Sequence, residues 1–138
     1  MQETKYFRAG DQLNPAHAEE SGSSIDLSPL IGTWVNTRKD TGGFVKLVVS
    51  NRDGRLILRA FGASSPELSD WGETEAHAYS DSVDKHKGTA FSAFYDTDFA
   101  EVALQGNVNL GLLVLVTFNR FKNGGRRANY ICREFFHR

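Results

Sequence analysis

Leu30-Ile31-Gly32-Thr33-Trp34-Val35-Asn36 is the stretch whose reading decides the fold. It places a Gly-x-Trp at the head of the first strand, about Gly32 to Thr37. Glycine lets the backbone approach closely as it enters a sheet, and an indole is large enough to plug one end of a closing barrel. What lies on either side differs sharply. Upstream, residues 1–24 are polar, with Asn14-Pro15 and Ser21-Gly22-Ser23-Ser24 as breakers. So little apolar surface does not offset the entropy of ordering, and residues 1–28 read as a flexible arm. Tyr6 and Phe7 are its candidate anchors, with the arm crossing one end of the barrel as the alternative.

Downstream the chain reads as strand, turn, strand to its last residue. Asp40-Thr41-Gly42-Gly43 supplies turn chemistry. Phe44 to Ser50 alternates Val45, Leu47 and Val49 against Lys46 and Ser50. Asn51-Arg52-Asp53-Gly54 is a tight hairpin signal, and Arg55 to Gly62 alternates Leu56, Leu58 and inward Ala60 against Arg55 and Arg59. Ala63 to Gly72 reads as the longest loop of the sheet region, with Trp71 as a lid or rim residue. A fourth strand, about Glu73 to Ser80, sets small Thr74, Ala76 and Ala78 against Glu73, Glu75, His77 and Tyr79, with the small set facing inward. His77 leans towards solvent. Further strands run about Thr89 to Tyr95, Phe99 to Gln105, Leu110 to Phe121 and Arg127 to His137. Turns fall at Asp81 to Gly88, Asp96-Thr97-Asp98, Gly106 to Asn109 and Asn123-Gly124-Gly125. Eight strands joined by short loops, with no helix pattern, predict an all-β, eight-stranded antiparallel up-and-down β-barrel over residues 29–138. Such a barrel either fills with side chains or holds one small ligand.

Composition narrows the function. The chain has 138 residues, suited to one domain, with 16 basic and 17 acidic residues and a net charge of -1. That balance gives no electrostatic reason to expect nucleic acid or an anionic membrane as partner. No apolar run is long enough to span a bilayer, and Met1 to Asn14 lacks a signal-peptide pattern. Cys132 is the only cysteine, so no intrachain disulfide forms. A soluble, cytoplasmic protein is expected. His17, His77, His86 and His137 share no ligand spacing, and there is no Cys/His cluster, phosphate loop or nucleophile turn, so no metal and no cofactors are expected. Glu101 and Glu134 read as outer-face charges or neighbours of arginine. Arg126-Arg127 reads as a solvated turn.

The Gly32-Thr33-Trp34 head of an eight-stranded meander resembles the calycin group of lipocalins, fatty-acid-binding proteins and avidins. In lipocalins an arginine from near the end of the barrel covers that tryptophan, and the resemblance implies Arg133 or Arg138 for the part, with Trp34 the structural plug. More of the chain, about Leu30 to Arg138, resembles a set of small bacterial barrels. They share a Gly-Thr-Trp-x-Asn start, a Phe-Gly…Pro…Asp-Trp-Gly loop (here Phe61-Gly62, Pro66 and Asp70-Trp71-Gly72) and a pattern like Arg120-Phe121…Gly124-Gly125-Arg126…Asn129-Tyr130. Their loop often holds two cysteines, where this chain has Ser64 and Ser69. That set implies no activity. The avidin likeness points to Asn36 as a ligand contact, but avidins box biotin with several tryptophans and only Trp34 and Trp71 exist here. Biotin is not expected.

In a meander, the loops after strands one, three, five and seven share one end. That open mouth collects Asn36, Ala60, Trp71, Tyr95, Phe99, Phe118, Arg120 and Asn129 as candidate ligand-binding residues, while Trp34 plugs the far end. A largely apolar lumen with a few polar groups suits an apolar small molecule. The alternative is a cyclase that folds a polyketide-type natural-product intermediate inside the barrel, with catalytic residues unknown. Finally, the seventh strand is apolar on both faces. The set Leu113 and Leu115 is expected outside, which predicts a homodimer, with the Met1 to Ser28 arm lying across the strand as the alternative.

Overall fold

The computed structural model describes residues 25–122 and 127–138. Eight strands follow one another: β1 (Gly32–Asn36), β2 (Phe44–Arg52), β3 (Arg55–Gly62), β4 (Ser69–Tyr79), β5 (Ala90–Asp96), β6 (Ala100–Asn109), β7 (Leu112–Phe121) and β8 (Tyr130–His137). Each pairs antiparallel with the next, and β8 returns to β1 through Val35–His137 and Asn36–Phe136. The result is the closed up-and-down barrel that the strand series predicts, and closure removes the free edges of the sheet. The described residues contain no helix. The reading of residues 1–24 as a flexible arm and the turn at Asn123-Gly124-Gly125 lie outside the described residues.

Alternation sorts the side chains. Leu47, Val49, Leu56, Leu58, Ala60 and Ala76 point inward and are buried. The β2–β3 hairpin turns on Asp53 and Gly54, both at positive φ, as a two-residue primed turn requires. Across the outside of β2–β4, Arg52 pairs with Glu73, Arg55 with Glu75 and Arg59 with Asp70. His77 and Tyr79 also face outward and are exposed.

Several boundaries differ from the sequence expectation. Residues 25–28 are not part of a free arm. Leu27 and Leu30 are buried, and the segment is held by Asp26 N–H to His86 C=O at 2.6 Å and Gly88 N–H to Asp26 C=O at 2.8 Å. It crosses the closed end of the barrel. The expected turn at Gly106 to Asn109 lies inside β6, and the chain turns instead at Leu110–Gly111, both at positive φ. Gly106 serves space rather than turning, because a Cβ there would overlap the Phe91 ring.

The largest correction is one residue of register in β7. Leu113 and Leu115 are buried in the lumen, and Leu112, Val114 and Val116 face outward. Parity along a strand is strict, so the same slip puts Phe118 and Arg120 outside the barrel. There Phe118 lies between Ala103 and Ile131 in a cross-strand row, and Arg120 faces Glu101 at 3.7 Å. The homodimer expectation rests on an apolar outer face; that face carries Leu112, Val114 and Val116.

The closed end is built around Trp34, which is fully buried. Its indole Nε1–H donates to the Leu30 carbonyl at 3.0 Å. The Arg138 guanidinium lies 4.3 Å above the ring and donates to the Ile31 carbonyl at 2.8 Å. Gly32 permits this arrangement twice over. It adopts φ +143, and a Cβ there would come within 2.8 Å of Arg138 Cδ. Of the two arginines suggested for this part, Arg138 takes it. Arg133 has the opposite parity and lies outside, over the Phe135 ring at 5.6 Å.

Candidate functional site

The other end is open. Its rim is formed by the loops after β1, β3 and β5 and by residues 127–129 ahead of β8, and its inner wall is shaped by a bulge. Arg59 pairs with Glu73 and Phe61 with Asp70, so Trp71 and Gly72 together oppose Ala60. Gly72 takes φ +79, which glycine accepts without strain. A bulge interrupts the ladder and leaves backbone groups to be satisfied. Tyr95, reaching across from β5, satisfies them: its hydroxyl accepts from Ala60 N–H at 3.0 Å and donates to the Gly72 carbonyl at 2.7 Å. Burial pushes the Tyr95 phenol up to about 12, against the opposing effect of the Ala60 amide. On the outer side of the bulge, Asp70 receives Gly72 N–H at 2.9 Å and pairs with Arg59. The Arg59 guanidinium first, then that amide, holds the Asp70 carboxyl down to about 2.

The bulge turns Trp71 into the lumen. Trp71 therefore belongs to β4, not to the long loop as expected, and the connection shortens to residues 63–68. Gly62 makes room for the indole, since a Cβ there would sit 3.0 Å from Trp71 Nε1. The ring meets Phe44, Tyr95 and Phe99 edge to face, at 5.1, 5.6 and 5.6 Å between centroids.

Between this aromatic wall and the β7–β8 side lies a cavity of about 460 Å³. That is within the usual span of small-molecule sites, roughly 300–1,000 Å³. The two sides differ chemically. Phe44, Trp71 and Phe99 present ring faces and edges. Opposite them stand Thr41, Thr117, Asn119, Tyr130, Cys132 and Glu134. Asn119 Nδ2 donates to Thr117 Oγ1 at 3.0 Å. Glu134 points inward and accepts from Thr41 Oγ1–H at 2.6 Å, while Thr41 Oγ1 also accepts Gly43 N–H at 3.0 Å. Burial, and then the Glu134 carboxylate beside it, push the Cys132 thiol up, so it stays protonated at neutral pH.

The candidates read from sequence divide four ways. Trp71 and Phe99 line the cavity. Asn36, Ala60 and Tyr95 face inward but serve the framework. Asn36 Nδ2 donates to the Phe44 carbonyl at 2.9 Å, and its Oδ1 accepts Arg38 N–H at 2.8 Å, which closes the β1–β2 turn. Ala60 and Tyr95 are spent on the bulge. Asn129 sits at the rim and receives Phe121 N–H on its Oδ1 at 3.0 Å. Phe118 and Arg120 are outside. The polar wall escapes a reading that sets Glu134 on the outer face. The signal for it is parity: if Arg138 covers Trp34 from inside the barrel end, then Phe136, Glu134, Cys132 and Tyr130 share its face.

Among the described residues, no group of three or more His, Cys, Asp or Glu side chains is placed to hold a metal ion, and no helix is long and apolar enough to cross a membrane. No family model, curated protein or solved structure matches the chain.

Proposed function

We propose that the protein is a small-molecule-binding barrel of calycin type that holds a largely apolar ligand in the open half of its lumen. One observation carries this reading: the same lumen buries Trp34 completely at one end and leaves about 460 Å³ at the other. Side chains that merely stabilise a barrel fill its interior. Here aromatic rings are held apart from a polar wall, which is the layout of a ligand pocket. The stacked Trp34–Arg138 pair supports the calycin-like placement.

Titration with Nile red, a neutral apolar dye, tests the reading. One saturable equivalent should bind with a blue-shifted emission, and Val102→Phe, which fills the cavity from β6, should weaken binding at least tenfold. Absence of saturable binding, or a Val102→Phe protein that binds as well as wild type, overturns it.

A cyclase acting on a polyketide-type intermediate is the second reading. It is favoured by the carboxylate inside the cavity, Glu134 on Thr41, since folding a flexible substrate into a reactive shape needs few groups beyond one to move a proton. Incubation with a linear polyketone thioester distinguishes the two, because only the cyclase converts it.

A further inference from the structure

We infer that the ligand is a cationic amine carried on a ring-bearing apolar body, with the ammonium seated on Glu134. The inference rests on the cavity being the binding site and concerns what chemistry it selects.

Among the described residues, Glu134 is the only carboxylate that lines the cavity, and no basic side chain pairs with it. Its hydrogen-bond donors are neutral: the Thr41 hydroxyl at 2.6 Å and the weak Cys132 thiol. Carboxylates on the water-facing side of the barrel are treated differently. Asp70, Glu73 and Glu75 each hold an arginine. Glu134 is half-buried and has no cation paired with it among the described residues, so an incoming ammonium can add a charge-assisted hydrogen bond there. The facing wall fits the same ligand. The faces of Trp71, Phe44 and Phe99 attract a cation and pack against an aromatic body.

Two arginines also border the cavity, and they suggest an anionic ligand instead. Both are occupied at the rim. Arg38 Nε donates to Asp40 at 3.1 Å, and the Arg127 guanidinium lies 5.2 Å from the Phe121 ring centroid. An anion drawn deeper than that rim meets Glu134 and is repelled.

Calorimetry with three probes of one shape decides the matter: 2-(1-naphthyl)ethylamine, 2-(1-naphthyl)ethanol and 1-naphthylacetate. The amine should bind at least tenfold more tightly than the alcohol, and the carboxylate most weakly. Glu134→Gln keeps an acceptor for the Thr41 hydroxyl and should bring the amine down to the affinity of the alcohol. Thr41→Val keeps the carboxylate and should retain the amine preference. Equal binding of amine and alcohol, tightest binding of the carboxylate, or an amine preference that survives Glu134→Gln overturns the inference. If Nile red binds and none of the three naphthyl probes does, the inference fails while the cavity reading stands. If Nile red fails as well, both fall.

Discussion

Trp34 and Trp71 sit at opposite ends of one lumen, and their surroundings differ in kind. Trp34 is enclosed: Leu30 takes its N–H, Arg138 covers its face, and the ring is fully buried. Trp71 is half-buried, meets three other rings edge to face and borders a cavity. The polar groups follow the same division. At the closed end they are spent on backbone, whereas Glu134 at the open end leans on the Thr41 hydroxyl and the weak Cys132 thiol. One end is given over to stability. The other keeps groups available for a ligand, and such sites commonly trade stability for function.

Substitutions can break or sharpen that contrast. The largest effect is expected from Trp34→Ala, which should cost roughly 3–5 kcal/mol in urea unfolding, as large aromatic truncations in cores do. A protein of unchanged stability would mean that the closed end is not the anchor. Next comes Tyr95→Phe, which strips the bulge of the hydroxyl that Ala60 and Gly72 share. Leaving those groups unpaired should cost about 1–3 kcal/mol. The same residue predicts an alkaline limit. Its folded pKa, about 12, exceeds the ordinary 10, so the unfolded chain gives up the proton first. The stabilisation is complete below pH 10 and is lost as pH rises from 10 towards 12. Unfolding midpoints measured across that window should fall in wild type, and Tyr95→Phe should remove that part of the slope.

Arg138→Met is expected to be milder, about 1–2 kcal/mol, because it removes one cation–π contact and one hydrogen bond from an exposed side chain. Arg133→Met serves as the control on the outer face and should change little. Smallest of all, Glu134→Gln should leave unfolding within about 0.5 kcal/mol of wild type or raise its stability slightly. A large loss there would show that the open end contributes to stability on the scale of the closed one.

The fold is legible in the sequence because it depends on periodicity and turn chemistry. Leu47 and Val49 against Leu56 and Leu58, with Asp53-Gly54 between them, specify a hairpin from local signals alone. The site is harder to read, since it depends on parity, and several strands are apolar on both faces. In β7, Leu112 to Val116 offers no polar residue to mark the outside, so Leu113 and Leu115 are easily exchanged with their neighbours, and Phe118 and Arg120 follow. In β8, Ile131 and Phe135 are as apolar as Phe136, which hides the inward course of Glu134. The role of Tyr95 needs the bulge, and a bulge between Arg59 and Phe61 leaves no mark in composition. Trp71 stands out as unusual but reads as a loop residue, because Pro66 and Gly72 resemble loop punctuation.

The barrel is sewn shut along its shortest line. β6 and β7 are laddered from Ala100–Phe121 to Asn109–Leu112, but β1 meets β8 only at Val35–His137 and Asn36–Phe136. Beyond those pairs the closure rests on Thr37 N–H to the Phe135 carbonyl, on Thr41 to Glu134, and on Arg138 to Ile31 across 107 residues of chain. Contacts between such distant segments form only after a long loop has been drawn together, so the seven consecutive hairpins can zip in turn while this junction waits. It is the natural last step of folding and the first place to part when the protein breathes. Amide exchange should therefore run fastest along β1 and slowest along β6 and β7. Because Glu134 lies on that junction, a cation bound there would act as a stitch across it, slowing the opening of the whole cylinder from a point inside its lumen.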